Sequence, residues 1–165
     1  MSDLVDARAG TFANGASAAL TGLSGAAKTI SYTGNPAFTT RGRKYTGATC
    51  SGGALLTTDN STGAAFLNLA NGKTCLFVFS WDTAGAWVVS QGPIVNTADV
   101  TNGSAALEFP SMLGTVCPFA YVSMSHANAT AFLFATGNWN QTGLTIGTVV
   151  NVTRLPAQPL TAQSV

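Results

Sequence analysis

The sequence predicts an all-β protein: an antiparallel β-sandwich or jelly-roll-like domain with an extended N-terminal arm. Three observations predict it. Short apolar runs rich in aromatic and β-branched residues recur at close spacing, separated by turns of Gly, Asn, Pro and Asp. No segment beyond the first ten residues shows the 3.6-residue period of an amphipathic helix. Two runs, 116–125 and 131–136, are apolar on both faces and carry no charge. They need cover from both sides, by a second sheet or a neighbouring subunit.

The chain divides into an arm or first strands at 1–34, the sandwich at 35–155 and a Pro-containing tail at 156–165. Residues 2–9, SDLVDARA, fit a short helix capped by Ser2 or Asp3, with Leu4 and Val5 as its sizeable apolar groups. From Gly10 to Gly34, small residues surround isolated Phe12, Leu20, Leu23, Ile30 and Tyr32. That stretch fits an arm plugging into a partner, or a first strand pair turning at 13–17. Asn35-Pro36 marks a turn. The following TTRGRKYTG holds the basic cluster Arg41, Arg43 and Lys44. It reads as a solvated loop or as a contact with an acidic protein surface. Three charges are too few for a nucleic-acid footprint. SGG at 51–53 and TTDNSTG at 57–63 read as loops.

Strand signals then strengthen. Cys75–Trp81, CLFVFSW, turns through Asp82–Gly85 into Ala86–Gln91, with Trp81 and Trp87 as a cross-strand pair. Gly92-Pro93 ends or bulges that strand, and Ile94-Val95 continues it. Residues 97–104 read as loop with a turn at Asn102-Gly103. Ala105–Phe109 reads as a short strand. The runs 116–125 and 131–136 form a second hairpin around His126–Thr130. In its first strand Phe119, Tyr121 and Ser123 share one face, and Ala120, Val122 and Met124 the other. Leu144–Arg154 closes the sandwich, with Leu144, Ile146, Thr148, Val150 and Val152 on one face.

The 165 residues suit one domain, or one domain with an arm. Apolar residues make up 46% and charged residues only 8%, against about 25% charged in an average domain. The net charge of +1 does little to keep copies apart. A surface of Thr, Asn, Ser and Ala needs little charge desolvation on contact, which favours assembly. Cys50, Cys75 and Cys117 are dispersed, an odd set that reads as free, partly buried thiols of a reducing compartment. The acidic N-terminus lacks the pattern of a signal peptide, and no run reaches the length of a membrane helix.

Chemistry-bearing patterns are scarce. The single histidine, His126, falls in a turn without a nucleophile elbow. Metal-ligand spacing and a glycine-rich phosphate loop are missing. Catalytic, cofactor-binding and metal-binding residues are accordingly assigned to none. Trp139, between Asn138 and Asn140, reads either as core or as an exposed platform that stacks a sugar ring.

The Ala/Gly/Thr/Asn-rich composition, the acidic start and the block GNWNQTGLTIGTVVNVTRLP resemble small virion proteins of tailed bacteriophages, of the capsid decoration (cement) or head-fibre type. The resemblance is one of style over most of the chain plus that block, and no binding residue transfers position by position. It implies a non-enzymatic, β-rich homotrimer on the outer capsid surface, made in the host cytoplasm and bridging neighbouring capsomers. Its partners would be the major capsid protein lattice and itself, with no cofactor, nucleic acid or membrane. Leu4, Val5, Phe12, Arg41, Arg43 and Lys44 are the candidate capsid contacts. His126 and Trp139 are candidate ligand or partner contacts. The alternative is a receptor- or glycan-binding fibre module using Trp139, Trp87 or Tyr121.

Overall fold

The two longest strands are the two most apolar runs, and they pair with each other. The computed structural model describes residues 11–12, 20–26, 29–32, 37–54 and 56–152. Its elements are β1 (Thr11–Phe12), β2 (Leu20–Thr21), β3 (Thr29–Tyr32), β4 (Ala37–Thr40), β5 (Arg43–Thr46) and β6 (Cys50–Ala54). They continue with β7 (Lys73–Trp81), β8 (Trp87–Gln91), β9 (Val95–Asn96), α1 (Thr97–Thr101), β10 (Cys117–His126), β11 (Leu144–Ile146) and β12 (Val150–Asn151). In the central sheet β7 and β10 lie side by side. β8 and β9 flank β7, and β11 and β12 flank β10. Two smaller sheets run β2-β3-β6 and β1-β4-β5. All pairings are antiparallel.

The architecture is an all-β sandwich. The described pairings do not trace the two four-stranded sheets of a jelly roll. The larger core lies on the β7 face that carries Cys75, Phe77, Phe79 and Trp81. Leu20, Ile30, Tyr32 and Cys50 of the β2-β3-β6 sheet pack on it, with Phe66, Leu69, Phe132, Phe134 and Trp139 from loops. The opposite face presents Leu76, Val78 and Tyr121 to Val100 of α1 and to Leu107. β7 is therefore buried on both faces, which is why its sequence is continuously apolar.

The predicted β7–β8 hairpin forms, and Trp81 faces Trp87 across it. Asp82 sets the turn: its Oδ1 accepts from the N–H groups of Ala84 and Ala86, both at 2.9 Å. Asp82→Ala leaves those donors to water and is expected to cost about 1–2 kcal/mol, measured by urea unfolding. β9 continues beside β7 after Gly92-Pro93, as the sequence indicates.

The second predicted hairpin does not form. β10 pairs with β7 on one side and with β11 and β12 on the other, leaving no edge for 131–136. Phe132 instead makes a two-bond bridge with Leu69, at 2.7 and 3.0 Å. The chain then turns tightly, Gly137 N–H donating to Leu133 O at 2.7 Å. The turn drives Phe132 and Phe134 into the core.

Two one-residue irregularities change which side chains face inward. The β10–β7 register shifts between Pro118 and Ala120. This bulge brings Phe119 to the same core as Ala120, Val122 and Met124, not to the Tyr121 side. The predicted final strand is likewise split at 147–149. Leu144, Ile146 and Val149 pack on the larger core, and Val150 and Val152 on the smaller. Gly147 sits where a Cβ would come within 2.3 Å of Ser123 Oγ.

Other expectations are corrected locally. Residues 97–101 form α1, and 105–109 form no named strand. Residues 51–53 lie within β6. In the N-terminal third, β2 pairs with β3, and β1 pairs with β4. The expected 2–9 helix, the 13–17 and 35–36 turns and the 156–165 tail lie outside the described residues.

Candidate functional site

The basic cluster sits on a built hairpin, not a loose loop. β4 and β5 pair from Ala37↔Thr46 to Thr40↔Arg43, leaving Arg41 and Gly42 as a two-residue turn. Both have positive φ, 49° and 72°. That is the conformation whose twist matches a hairpin, and it suits Gly far better than Arg. Arg41 is held there by its own side chain: its Nε donates to Gly114 O at 3.2 Å. Thr40 Oγ1 donates to the same carbonyl at 2.9 Å. Below the tip, Phe38 is fully buried and stacks on Tyr45, ring centroids 5.7 Å apart. The hairpin is thus rooted in the core and tied to residue 114.

Arg43 and Lys44 are exposed, and as neighbours on a strand they point to opposite faces. Several described acids are engaged elsewhere. Asp59 is buried and accepts from Ser61, Thr62 and Gln91. Asp82 holds its turn, and Asp99 accepts from Asn96. The hairpin remains a positive projection on a charge-poor domain.

The other candidate residues are placed differently. Leu4 and Val5 lie outside the described residues. Phe12 belongs to β1, paired by its backbone with Phe38. His126 is not a turn residue: it ends β10, opposite Lys73 and Leu144, and is 1% exposed. Its Nε2 lies 3.5 Å from Gln141 Nε2, which donates to the carbonyls of Thr130 and Ala131. Its Nδ1 has no partner. Trp139 is buried, its Nε1 donating to Thr29 O at 2.9 Å and its ring against Phe132 and Phe134. Neither residue offers a surface to a ligand. Tyr121 is buried too, edge-on to Phe109, and burial raises its hydroxyl pKa. Trp87 stays half-buried.

One surface feature was not read from the sequence. A cleft of about 370 Å³ is lined by residues that include Leu67, Gln91, Pro93, Ile94, Phe109 and Pro110. Gln91 fixes the Leu67 backbone, accepting from its N–H at 2.7 Å and donating to its carbonyl at 3.0 Å. The Leu67 side chain is 67% exposed. Its wall residues come from three separate segments, so no local pattern announces it. Among the described residues no group of three or more His, Cys, Asp or Glu is placed to hold a metal ion. Comparison with protein-family models, curated proteins and solved structures gives no match.

Proposed function

We propose that the protein is a non-enzymatic structural component of a phage particle that oligomerises on the outer capsid surface and stabilises it. One observation carries this reading: among the described residues, exposed positive charge is concentrated on a single anchored hairpin of a charge-poor domain. The Gly114 anchor presents Arg43 and Lys44 on a rigid support, which lowers the entropy lost on docking. The partner surface is acidic, on the major capsid protein lattice. A specific contact buries about 800 Å² per partner, and repetition around a homotrimer and across the lattice multiplies its effect. The exposed Leu67 cleft is apolar surface open to a second contact. A glycan-binding fibre module, the alternative, loses Trp139 and Tyr121 as stacking platforms and keeps only Trp87.

Co-sedimentation with empty capsids of the parent phage tests the proposal. Wild-type protein is expected to pellet with capsids. The double variant Arg43→Glu/Lys44→Glu is expected to bind at least tenfold more weakly. Its fold is expected to be intact, since exposed substitutions cost about 0.5 kcal/mol or less. Wild-type protein that stays in the supernatant rules out the capsid role. Equal binding by the variant moves the contact off the hairpin.

A further inference from the structure

At one end of the central sheet, three side chains form a connected set that belongs to neither core. Lys73 opens β7 and lies directly opposite Asn96 of β9. Lys73 Nζ donates to Asn96 Oδ1 at 2.6 Å. Asn96 Nδ2 donates to Asp99 Oδ2 at 2.7 Å. Asn96 stands at the N-cap of α1, where its side chain would ordinarily accept a backbone N–H of the first turn. It makes no such bond. Its carboxamide is instead held at both ends, the oxygen by an amine and the nitrogen by a carboxylate.

The backbone fixes this arrangement. The Lys73↔Asn96 register is continued by Thr97 N–H donating to Gly72 O at 2.8 Å. α1 then places Asp99 three residues beyond the Asn96 cap, on the side of its amide nitrogen. On the other flank of Lys73, His126 is paired across β10 and fully buried, so that strand boundary is set as well.

We propose that this cluster is an intramolecular isopeptide site that joins Lys73 to Asn96, with Asp99 as its catalytic proton carrier. The unprotonated Lys73 amine attacks Asn96 Cγ and the new C–N bond forms. A proton leaves Nζ to water, the Asp99 carboxylate takes one up from water, and Asp99 passes it to Nδ2, which lies beside it. The Cγ–Nδ2 bond breaks and ammonia leaves. One amide replaces another, so no oxidant, reductant or co-reactant takes part. Two groups held in contact react as if at an effective concentration of about 10⁵ M or more. Escape of ammonia drives the exchange forward. The attack needs a neutral amine, so it runs faster at mildly alkaline pH. The bond would tie β9 covalently to β7 and enclose the β7–β8 hairpin. This lies outside the assembly reading and stands or falls separately from it.

Intact-mass spectrometry of the full chain, before and after incubation at about pH 9, tests the inference. The expected result is a species about 17 Da below the sequence mass that increases on incubation. Trypsin supplies a second readout. No Lys or Arg lies between Lys73 and Arg154, and the joined Lys73 is no longer a cleavage site. A branched peptide containing both residues is expected after digestion with a protease of other specificity. Lys73→Arg and Asp99→Asn are each expected to keep full mass. Ammonia loss that persists in Lys73→Arg belongs to a succinimide at one of the three Asn-Gly steps, Asn14-Gly15, Asn71-Gly72 or Asn102-Gly103, and overturns the proposal. Full wild-type mass after incubation, with normal cleavage at Lys73, overturns it too. Cross-linking of Asp99→Asn at the wild-type rate removes Asp99 from the mechanism.

Discussion

Replacing Phe134 by alanine is expected to lower stability by about 3–5 kcal/mol. The ring is fully buried and stacks on Phe77 with centroids 4.7 Å apart. Phe66 lies at 4.8 Å and Trp139 meets it edge-on at 5.6 Å. It is therefore the piece that joins the 131–139 segment to the central sheet. Those neighbours sit on a two-strand ladder, on the 56–70 loop and on a tight turn, and none can slide far to refill the hole. The loss is a large share of the roughly 5–15 kcal/mol that a domain of this size has. Phe134→Leu, which keeps most of the volume, is expected to cost less than half as much. Equilibrium urea unfolding of both variants measures this. A Phe134→Ala loss below about 1 kcal/mol would mean that the segment does not fill the core as described.

That same residue shows where local pattern stops carrying information. Phe132 and Phe134 alternate with Leu133 and Ala135, which reads equally as a strand beside β10 or as a compact turn with two aromatic anchors. The choice is made by competition for the edges of β10. Residues 73–81 and 144–151 take both edges, and neither choice is written in 131–136. The β7–β8 hairpin was legible because its whole logic is local: two apolar runs, an Asp and a Gly at the right places, and a Trp pair across the ladder. The faces of β10 and of the final strand were legible only up to their irregularities. Each inserted residue reverses the alternation beyond it, and no residue type announces where the insertion falls.

The candidate sites follow the same division. The cluster Arg41, Arg43 and Lys44 is visible as composition. Its rigidity is not, because the anchor is the Gly114 carbonyl more than seventy residues away. With Asn, Ser and Gly around them, His126 reads as a turn residue and Trp139 as either core or an exposed platform. Those neighbours do form turns, but the turns fold inward over an aromatic core, and the large side chains go with them. Asp99 sits in the 97–104 stretch that reads as plain loop, and Asn96 directly precedes it. Only the β7–β9 register brings Lys73 to them.

Raising the pH above 9 is expected to unfold the protein progressively, and the buried thiols set the sign. Cys75 and Cys117 are fully buried, and burial pushes both thiols from 9.0 up to about 12. The Gln91 amide, 3.6 Å from the Cys75 sulfur, only partly offsets this. Burial likewise takes the Tyr32 hydroxyl from 10.0 to about 12. The Trp81 indole N–H softens that rise without closing a hydrogen bond. Below the unfolded value both states keep these protons and the groups contribute nothing to the pH dependence. Between the two values the unfolded chain has released its protons while the folded chain retains them, so stability falls as pH rises. Each group contributes about 1.4 kcal/mol per pH unit. The unfolded thiols are half-ionised at 9.0, so together they remove about 2 kcal/mol between pH 9 and 10 and approach a slope of about 2.7 kcal/mol per unit above that, with Tyr32 adding mainly above pH 10. By pH 12 the three groups together remove on the order of 10 kcal/mol, comparable to the roughly 5–15 kcal/mol net stability of a domain. In the variant Cys75→Ala/Cys117→Ala, cavities lower stability at neutral pH, yet the slope between pH 9 and 10 is expected to fall to the small Tyr32 contribution. Urea unfolding across that interval separates the two effects. A wild-type slope already near zero there would show that both thiols ionise as readily in the folded chain as in the unfolded one.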